Sequence, residues 1–227
     1  VEASSFRLGH AHCFRAAPAV WLNFAPDHLD HHTDLDAYCR AKARIWEEIS
    51  DPTAAVANMA DPVVSRHAPE GAIGFGSDTS VCRIEDGYLR FEDREVIAIG
   101  DMRRCMPHDL SNAQAATVAA IRFGAGIEGC GRALREFDGL AHRLSQVREV
   151  NGVRFVDDSK ATTPHATLAA ISGFPEAVLI AGGRNKGLDF SPLSTTLPRA
   201  VVVIGEAASE ISEIFHGRCP VQLAESM

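Results

Sequence analysis

Four stretches of this 227-residue sequence concentrate side chains that could bind an ion or take part in a reaction. The densest is Asn23-Phe-Ala-Pro-Asp27-His28-Leu-Asp30-His31-His32, which sets imidazoles and carboxylates directly after a short apolar run. That is where α/β proteins place ligand sites, at the carboxyl ends of strands. A plain solvated loop would have the same composition. A zinc box of the form His-x-His-x-Asp-His fits at His28, Asp30 and His31, but Pro26 stands where the first histidine belongs and no later histidine cluster completes a dinuclear site. Lys42 falls on the same helical stripe as Leu35, Tyr38, Ile45 and Ile49, so its stem points into the fold. An ammonium placed there pairs with a carboxylate, snorkels, or loses its proton. Snorkelling is the ordinary outcome. A neutral lysine can also take up carbon dioxide, and the resulting carbamate offers anionic oxygens to a hard ion such as magnesium. Asp157-Asp158-Ser159-Lys160-Ala161-Thr162-Thr163-Pro164-His165 crowds two carboxylates and a lysine into the turn before a helix start. The Gly182-Gly183-Arg184-Asn185-Lys186-Gly187 turn combines backbone amides that could approach an anion with the charge of Lys186.

Elements that would position these groups follow from periodicity. Ala19–Phe24 and Ala54–Asn58 read as short buried strands, and Asp34–Ser50 as a helix carrying Lys42. Val81–Ile99 alternates around Asp86-Gly87, and Arg143–Val156 around Asn151-Gly152, which are hairpin signals. Ser111–Phe123 and Glu128–Phe137 are helical across the Gly124–Gly126 break. Thr163 is a plausible N-cap with Pro164 in the first helical position, opening a helix through Ile171. Ala177–Ala181 and Ala200–Ile204 read as buried strands and Ala207–Phe215 as a helix. This strand–helix alternation implies parallel pairing with crossover helices. The expected boundary lies near Gly139.

Composition narrows the classes. With 46% hydrophobic and 23% charged residues, the chain can build a core, which disordered or collagen-like sequences cannot. A net charge of −8 without a basic stripe argues against broad nucleic-acid binding. No run approaches the roughly 20 apolar residues that span a bilayer, and no basic-plus-apolar leader opens the chain. Cys13, Cys39, Cys82, Cys105, Cys130 and Cys219 include no Cys-x-x-Cys pair and read as free thiols of a reducing compartment. A cytoplasmic α/β protein with no membrane partner is expected. The chain opens at Val1 without an initiator methionine and stops at Met227 a few residues into another strand, so a fragment is expected too.

Taken together, Val1–Leu8, Leu22–His32, Tyr38–Ile45, His108–Asn112, Ala141–Arg143, Asp157–Ala166 and Gly182–Phe190 occur in the order seen in the Mur ligases, and the chain resembles that family along essentially its whole length. Within it, Asp-Ser-Lys-Ala-Thr combined with Gly-Gly-Arg-Asn-Lys-Gly resembles the members that add D-glutamate. Members that add L-alanine, a diamino acid or a dipeptide carry other segments there. The resemblance implies an α/β fold: residues 1–139 as the second half of a P-loop-type ATPase central domain, and residues 140–227 as part of a Rossmann-like C-terminal, glutamate-binding domain. It implies ATP-dependent ligation of D-glutamate to UDP-N-acetylmuramoyl-L-alanine through an acyl phosphate, in peptidoglycan synthesis, by a monomer.

By the same resemblance, Glu2 and His28 are magnesium ligands, and Lys42, as a carbamate, holds a second magnesium. Asn112 contacts the adenine of ATP, Asp158 its ribose, and Arg143 its γ-phosphate. Lys160, Thr162 and Lys186 surround the incoming glutamate. His28, Lys42, Arg143 and Lys160 would carry the catalysis, because charge accumulates on phosphoryl and carboxylate oxygens during the reaction. Some positions depart from the family pattern: Asp109 stands where asparagine is usual, His31 where arginine is common, and Thr163 where asparagine is common. None of these removes an implied ligand. No Gly-x-x-x-x-Gly-Lys-Ser/Thr motif occurs in these 227 residues, and no Gly-Lys dipeptide, so the phosphate cradle is expected before Val1 and the chain by itself is expected to be inactive. Another Mur-type amide ligase and a non-catalytic nucleotide-binding remnant stand as alternatives.

Overall fold

The computed structural model describes residues 1–185 and 187–225. The chain divides into two compact units. The first comprises Val1–Ala25 and Thr33–Asp138, and the second Pro26–His32 and Gly139–Met227.

The elements of the first unit are α1 (Ser5–His10), β1 (Ala19–Trp21), α2 (Leu35–Ala43), β2 (Ala55–Asn58), α3 (Pro62–His67), β3 (Ile73–Phe75), β4 (Cys82–Glu85), β5 (Tyr88–Phe91), β6 (Arg94–Ala98), α4 (Pro107–Arg122) and α5 (Ile127–Glu136). Its six-stranded sheet runs in the order β1-β2-β3-β4-β5-β6, parallel through β4 and antiparallel from there to β6. The change of sense comes at Asp86-Gly87, both with positive φ (52° and 79°), the two-residue turn whose twist matches paired strands. Every residue of β2 is buried, as expected for a parallel strand covered on both faces. On one face, Val56, Phe75, Cys82, Leu89 and Ile97 pack with Ala113 and Val118 of α4 and Ile127 of α5. On the other, Ala55, Ala57 and Trp21 meet Cys39, Trp46 and Val64.

Several boundaries differ from the sequence-based expectation for physical reasons. The Asp34–Ser50 helix stops as an α-helix at Ala43 and continues as a tighter 3-10 turn over Arg44–Trp46. Of the predicted stripe, Tyr38 and Trp46 are buried and Ile45 and Ile49 pack against the core as expected, with Cys39 and Ala41 buried beside them, whereas Leu35 at the helix start is exposed. α4 begins at Pro107 rather than Ser111. Proline's fixed φ suits the first turn, and the Asp109 carboxylate accepts the Met106 amide at 3.3 Å. α1, α3 and β3 were not anticipated, since three to six residues carry too little periodicity. The short α3 is held by Asp61, whose Oδ1 accepts the amides of Val63 and Val64 at 2.9 and 3.0 Å.

The second unit holds a hairpin, β7 (Ser145–Val150) and β8 (Val153–Asp157), then α6 (Pro164–Ile171), β9 (Val178–Gly182), β10 (Ala200–Ile204), α7 (Ala208–Phe215) and β11 (Val221–Ala224). The hairpin turns at Asn151-Gly152, again with both φ positive. β9, β10 and β11 form a parallel sheet in the order β11-β10-β9. Val201 and Val203 pack with Leu193, Ala207, Ala208, Ile211 and Phe215. The expectation of a fully buried strand over Ala177–Ala181 is corrected here. Leu179 and Ala181 face this core, whereas Val178 and Ile180 are 54% and 59% exposed.

Gly182 explains the first glycine of the Gly-Gly turn. A Cβ there would overlap the carbonyl oxygen of Ile204 on the neighbouring strand, a backbone group that cannot swing aside. Gly182→Ala is expected to destabilise the second unit by about 3 kcal/mol, the upper end of overpacking costs. At Gly152, where nothing lies within 4 Å of an added Cβ, alanine meets only the left-handed penalty of about 1 kcal/mol. Urea unfolding of both variants separates the two; equal losses would mean that the strand contact does not matter.

Candidate active site

In the first unit, Lys42 is carried by α2, whose start is fixed by Asp34, with Oδ1 accepting the Ala37 amide at 2.7 Å. Lys42 is half-buried, and its Nζ lies 5.4 Å from the centroid of the Tyr38 ring one turn earlier. That ring packs against Phe24 at 5.1 Å between centroids, and Asp61 Oδ2 accepts the Phe24 amide at 2.7 Å. The unmodified ammonium therefore has a resting place on an aromatic face. Glu2 is exposed just ahead of α1, and Asn112 is exposed on α4. Asp109, at the departure from the family pattern, is taken up structurally: Arg104 Nε donates to its Oδ1 at 2.9 Å while its Oδ2 caps the helix.

In the second unit, His28 adopts a left-handed φ of 56°. Its amide donates to Asp27 Oδ1 at 2.7 Å, and its carbonyl accepts the amides of His31 and His32, both at 3.0 Å. The His31 and His32 rings meet edge-on with centroids 5.1 Å apart. Burial, then the neighbouring His31 and His28, push the His32 pKa down and favour its neutral imidazole. Among the described residues, no group of three or more His, Cys, Asp or Glu side chains is arranged to hold a metal, so the zinc-box reading gains no support.

The Asp157–Thr163 turn brings together more of the expected residues. Asp158 Oδ1 accepts the Leu144 amide at 3.2 Å, and the Lys160 amide donates to the His142 carbonyl at 3.3 Å. Arg143 is thus fastened to the turn that carries Asp158 and Lys160, with Thr162 next along it, its amide donating to the Lys160 carbonyl at 3.0 Å. Arg143, Lys160 and Thr162 are exposed, and their side chains make no hydrogen bond or ion pair with any described residue. Thr163 caps α6 as expected, its hydroxyl accepting the Ala166 amide at 3.2 Å.

One feature of this turn was not anticipated. His142 Nδ1 and Asp157 Oδ2 are 2.6 Å apart. The His142 contact, followed by bonds from Ser159, brings the Asp157 carboxyl down to about 2. Fifteen residues separate the partners, and nothing in the local pattern marks them as a pair.

The glycine turn differs from the anion cradle that its sequence suggested. The Gly183 amide donates to the Ile204 carbonyl at 3.0 Å and its carbonyl accepts the Ala207 amide at 2.9 Å, so these groups bind the turn to β10 and the start of α7. Asn185 completes it, with Oδ1 accepting the Leu188 amide at 2.9 Å and Nδ2 donating to Glu210 at 2.8 Å. Lys186 lies outside the described residues.

Comparison with known proteins gives this arrangement its context. Residues 1–120 match the Mur ligase middle domain. The chain is 40% identical over 244 aligned positions to UDP-N-acetylmuramoylalanine–D-glutamate ligase of Frankia casuarinae, covering all of this chain and 51% of that protein. It is 36% identical to the enzyme of the same name from Natranaerobius thermophilus, covering 93% of this chain and 49% of the relative. The chain therefore spans about half the length of the curated relatives it matches. In fold it is similar to MurF of Acinetobacter baumannii, with a TM-score of 0.77 at 19% identity over 92% of this chain and 51% of that one. MurF of Thermotoga maritima, solved in complex with ADP, has a TM-score of 0.69 at 19% identity, covering 92% of this chain and 52% of that one. The α/β fold, the match over residues 1–120 and the whole-chain relatives at 34–40% identity agree, and the chain belongs to the Mur ligase family.

Proposed function

We propose that this chain is the part of an ATP-dependent ligase that joins D-glutamate to UDP-N-acetylmuramoyl-L-alanine in peptidoglycan synthesis, working as a cytoplasmic monomer. On this reading, residues 1–139 belong to the ATPase central domain and residues 140–227 to the glutamate-binding domain. The reading is supported by relatives that carry that ligase name. The structural observation that carries it is the exposed set Arg143, Lys160 and Thr162 on the turn around Asp158, two cations and a hydroxyl with no partner among the described residues. Such a set suits phosphate and carboxylate oxygens, with which charge-assisted bonds are strong.

The chemistry runs in two steps. A carboxylate oxygen of the alanyl group attacks the γ-phosphorus of ATP, forming a carbon–oxygen–phosphorus link as the bond to the β-phosphate oxygen breaks and ADP leaves. The amine of D-glutamate then attacks the acyl carbon. The tetrahedral intermediate collapses with loss of phosphate, and the amine proton passes to solvent. Arg143 would neutralise charge on the γ-phosphoryl oxygens, Asp158 would accept from the ribose hydroxyls, and Asn112 would read the adenine edge. Lys160, Thr162 and Lys186 would hold the two carboxylates of glutamate and so fix where its amine points.

Magnesium, when bound, would shield the phosphate charges. Glu2 and a Lys42 carbamate would offer the hard oxygens it prefers, and Lys42 is half-buried with its Nζ beside the Tyr38 ring, which packs on Phe24. His28 offers nitrogen, a softer donor, with the Asp27 carboxylate 3.5 Å from its Nε2. Lys42 would become a carbamate by attack of its neutral amine on carbon dioxide with loss of one proton.

The test uses two proteins, this 227-residue chain and a full-length ligase in which it replaces the matching half of the Frankia relative. Each is incubated with ATP, magnesium, the UDP-linked muramoyl substrates and a panel of amino acids. Product and phosphate are expected in equal amounts only from the full-length protein, only with D-glutamate and the L-alanyl substrate, at roughly 1–10³ s⁻¹. Another amino acid preferred in their place would assign a different Mur-type ligase, and no turnover at all would favour the remnant.

A further inference from the structure

Arg143 sits between two residues in the left-handed region, His142 with φ 63° and Leu144 with φ 48°. Neither is glycine, and non-glycine residues held there cost of order 1–3 kcal/mol each, so they persist only where the surroundings impose them. The surroundings here are the Asp157–Lys160 turn. It grips the His142 side chain through Asp157 at 2.6 Å, the His142 carbonyl through the Lys160 amide at 3.3 Å, and the Leu144 amide through Asp158 at 3.2 Å. Asp157 is itself oriented by the Ser159 amide, which donates to its other oxygen at 2.8 Å. On the near side, the Leu140 carbonyl accepts both the Arg143 amide at 3.2 Å and the Ser145 hydroxyl at 3.1 Å. A long exposed arginine is thus mounted on a backbone pinned on both flanks.

We propose that His142 and Asp157 are positioning residues, a hydrogen-bonded pair that fixes the backbone of Arg143 and so aims its guanidinium at the transferring phosphoryl group. The proposal rests on the phosphate role given to Arg143 above. Arginine loses much rotamer freedom when it binds, and a fixed backbone removes part of that cost before the ligand arrives. Asp157 and His142 need touch no substrate to do this. Because the same turn carries Asp158 and Lys160, the pair would also hold the nucleotide-facing and glutamate-facing groups in one register.

Two measurements test it. In the 227-residue chain, the Asp157 carboxyl, followed by NMR, is expected to titrate near 2 and to move up into the ordinary carboxylate range in His142→Ala, with faster hydrogen exchange at the Leu144 and Lys160 amides. An Asp157 that titrates normally in the unaltered chain would overturn the pair. In the full-length ligase, Asp157→Ala is expected to lower kcat/KM for ATP on the order of 10- to 100-fold, as misplacement of a catalytic group does. KM for D-glutamate should change less than about threefold, and Asp157→Asn, which keeps a hydrogen-bond acceptor, should recover most of the loss. Once Arg143→Ala is present, Asp157→Ala should cost little more, since the two act as a unit. If Arg143→Ala is crippling but Asp157→Ala costs the same factor with and without it, positioning is wrong and the phosphate role stands. If Arg143→Ala has little effect, the phosphate role fails and the positioning proposal falls with it.

Discussion

Replacing Lys42 by alanine or by arginine in the full-length ligase is expected to lower kcat by at least about 100-fold, the scale seen when one group that stabilises developing charge is removed. Two states of Lys42 compete. As an ammonium it lies 5.4 Å from the Tyr38 ring centroid, a contact worth about 0.5–1 kcal/mol at a partly exposed site. As a carbamate it would bring an anionic oxygen to magnesium. An ammonium 4 Å from a unit positive charge is repelled by roughly 4 kcal/mol at an effective dielectric of 20, and by about twice that for a divalent ion. With magnesium bound at such a distance, the repulsion would exceed the ring contact several-fold and would favour the carbamate. The arginine variant discriminates sharply. Guanidinium stacks on aromatic rings at least as well as ammonium, so Lys42→Arg would keep a cation over Tyr38 but could never become an anionic ligand. Near-normal activity in Lys42→Arg would make Lys42 an ordinary snorkelling lysine. In Lys42→Ala, acetate should restore part of the activity by supplying the missing carboxylate, and chloride at equal ionic strength should not.

Thr162→Ala and Lys186→Ala are each expected to raise KM for D-glutamate roughly 10- to 100-fold, the loss of one charge-assisted hydrogen bond of about 1.5–3 kcal/mol. KM for ATP should change little in either. The structure sharpens the expectation for Thr162. Capping of α6 is done by Thr163, so the exposed Thr162 hydroxyl can serve a ligand without loosening the helix, and its removal should leave stability nearly unchanged. Asp158→Ala should show the opposite split, with ATP affected most. It would remove the proposed ribose acceptor and also release the Leu144 amide beside Arg143. Steady-state kinetics with each substrate varied in turn measures all three variants. Unchanged glutamate KM in both Thr162→Ala and Lys186→Ala would sink the substrate assignment for these two residues.

How much of this could be read from the sequence depended on the range over which each signal acts. Turn chemistry acts over two residues, and Asp86-Gly87 and Asn151-Gly152 mark their hairpins correctly because left-handed φ at both positions is cheap for those types. The Thr163–Pro164 helix start and the apolar periodicity of Ala200–Ile204 and Ala208–Phe215 are equally local, and the structure has them as expected. The α/β class follows from those local signals together. Side-chain burial was less legible. Lys42 and Leu35 share the predicted stripe with Tyr38, Ile45 and Ile49, but Leu35 is exposed and Lys42 only half-buried, while Cys39 and Ala41 off the stripe are buried, because which positions are covered depends on residues far away in the chain. The glycine turn shows the same limit. Its composition suggested amides open to an anion, yet Gly183 spends its amide on Ile204 and Gly182 is required by the closeness of a neighbouring strand. The family and the residue types of the candidate site are properties of the sequence. The pairing of His142 with Asp157 across fifteen residues, and with it the fixed mounting of Arg143, exists only once β8 and the loop before β7 are brought together, because a hydrogen bond senses distance in space and not separation along the chain.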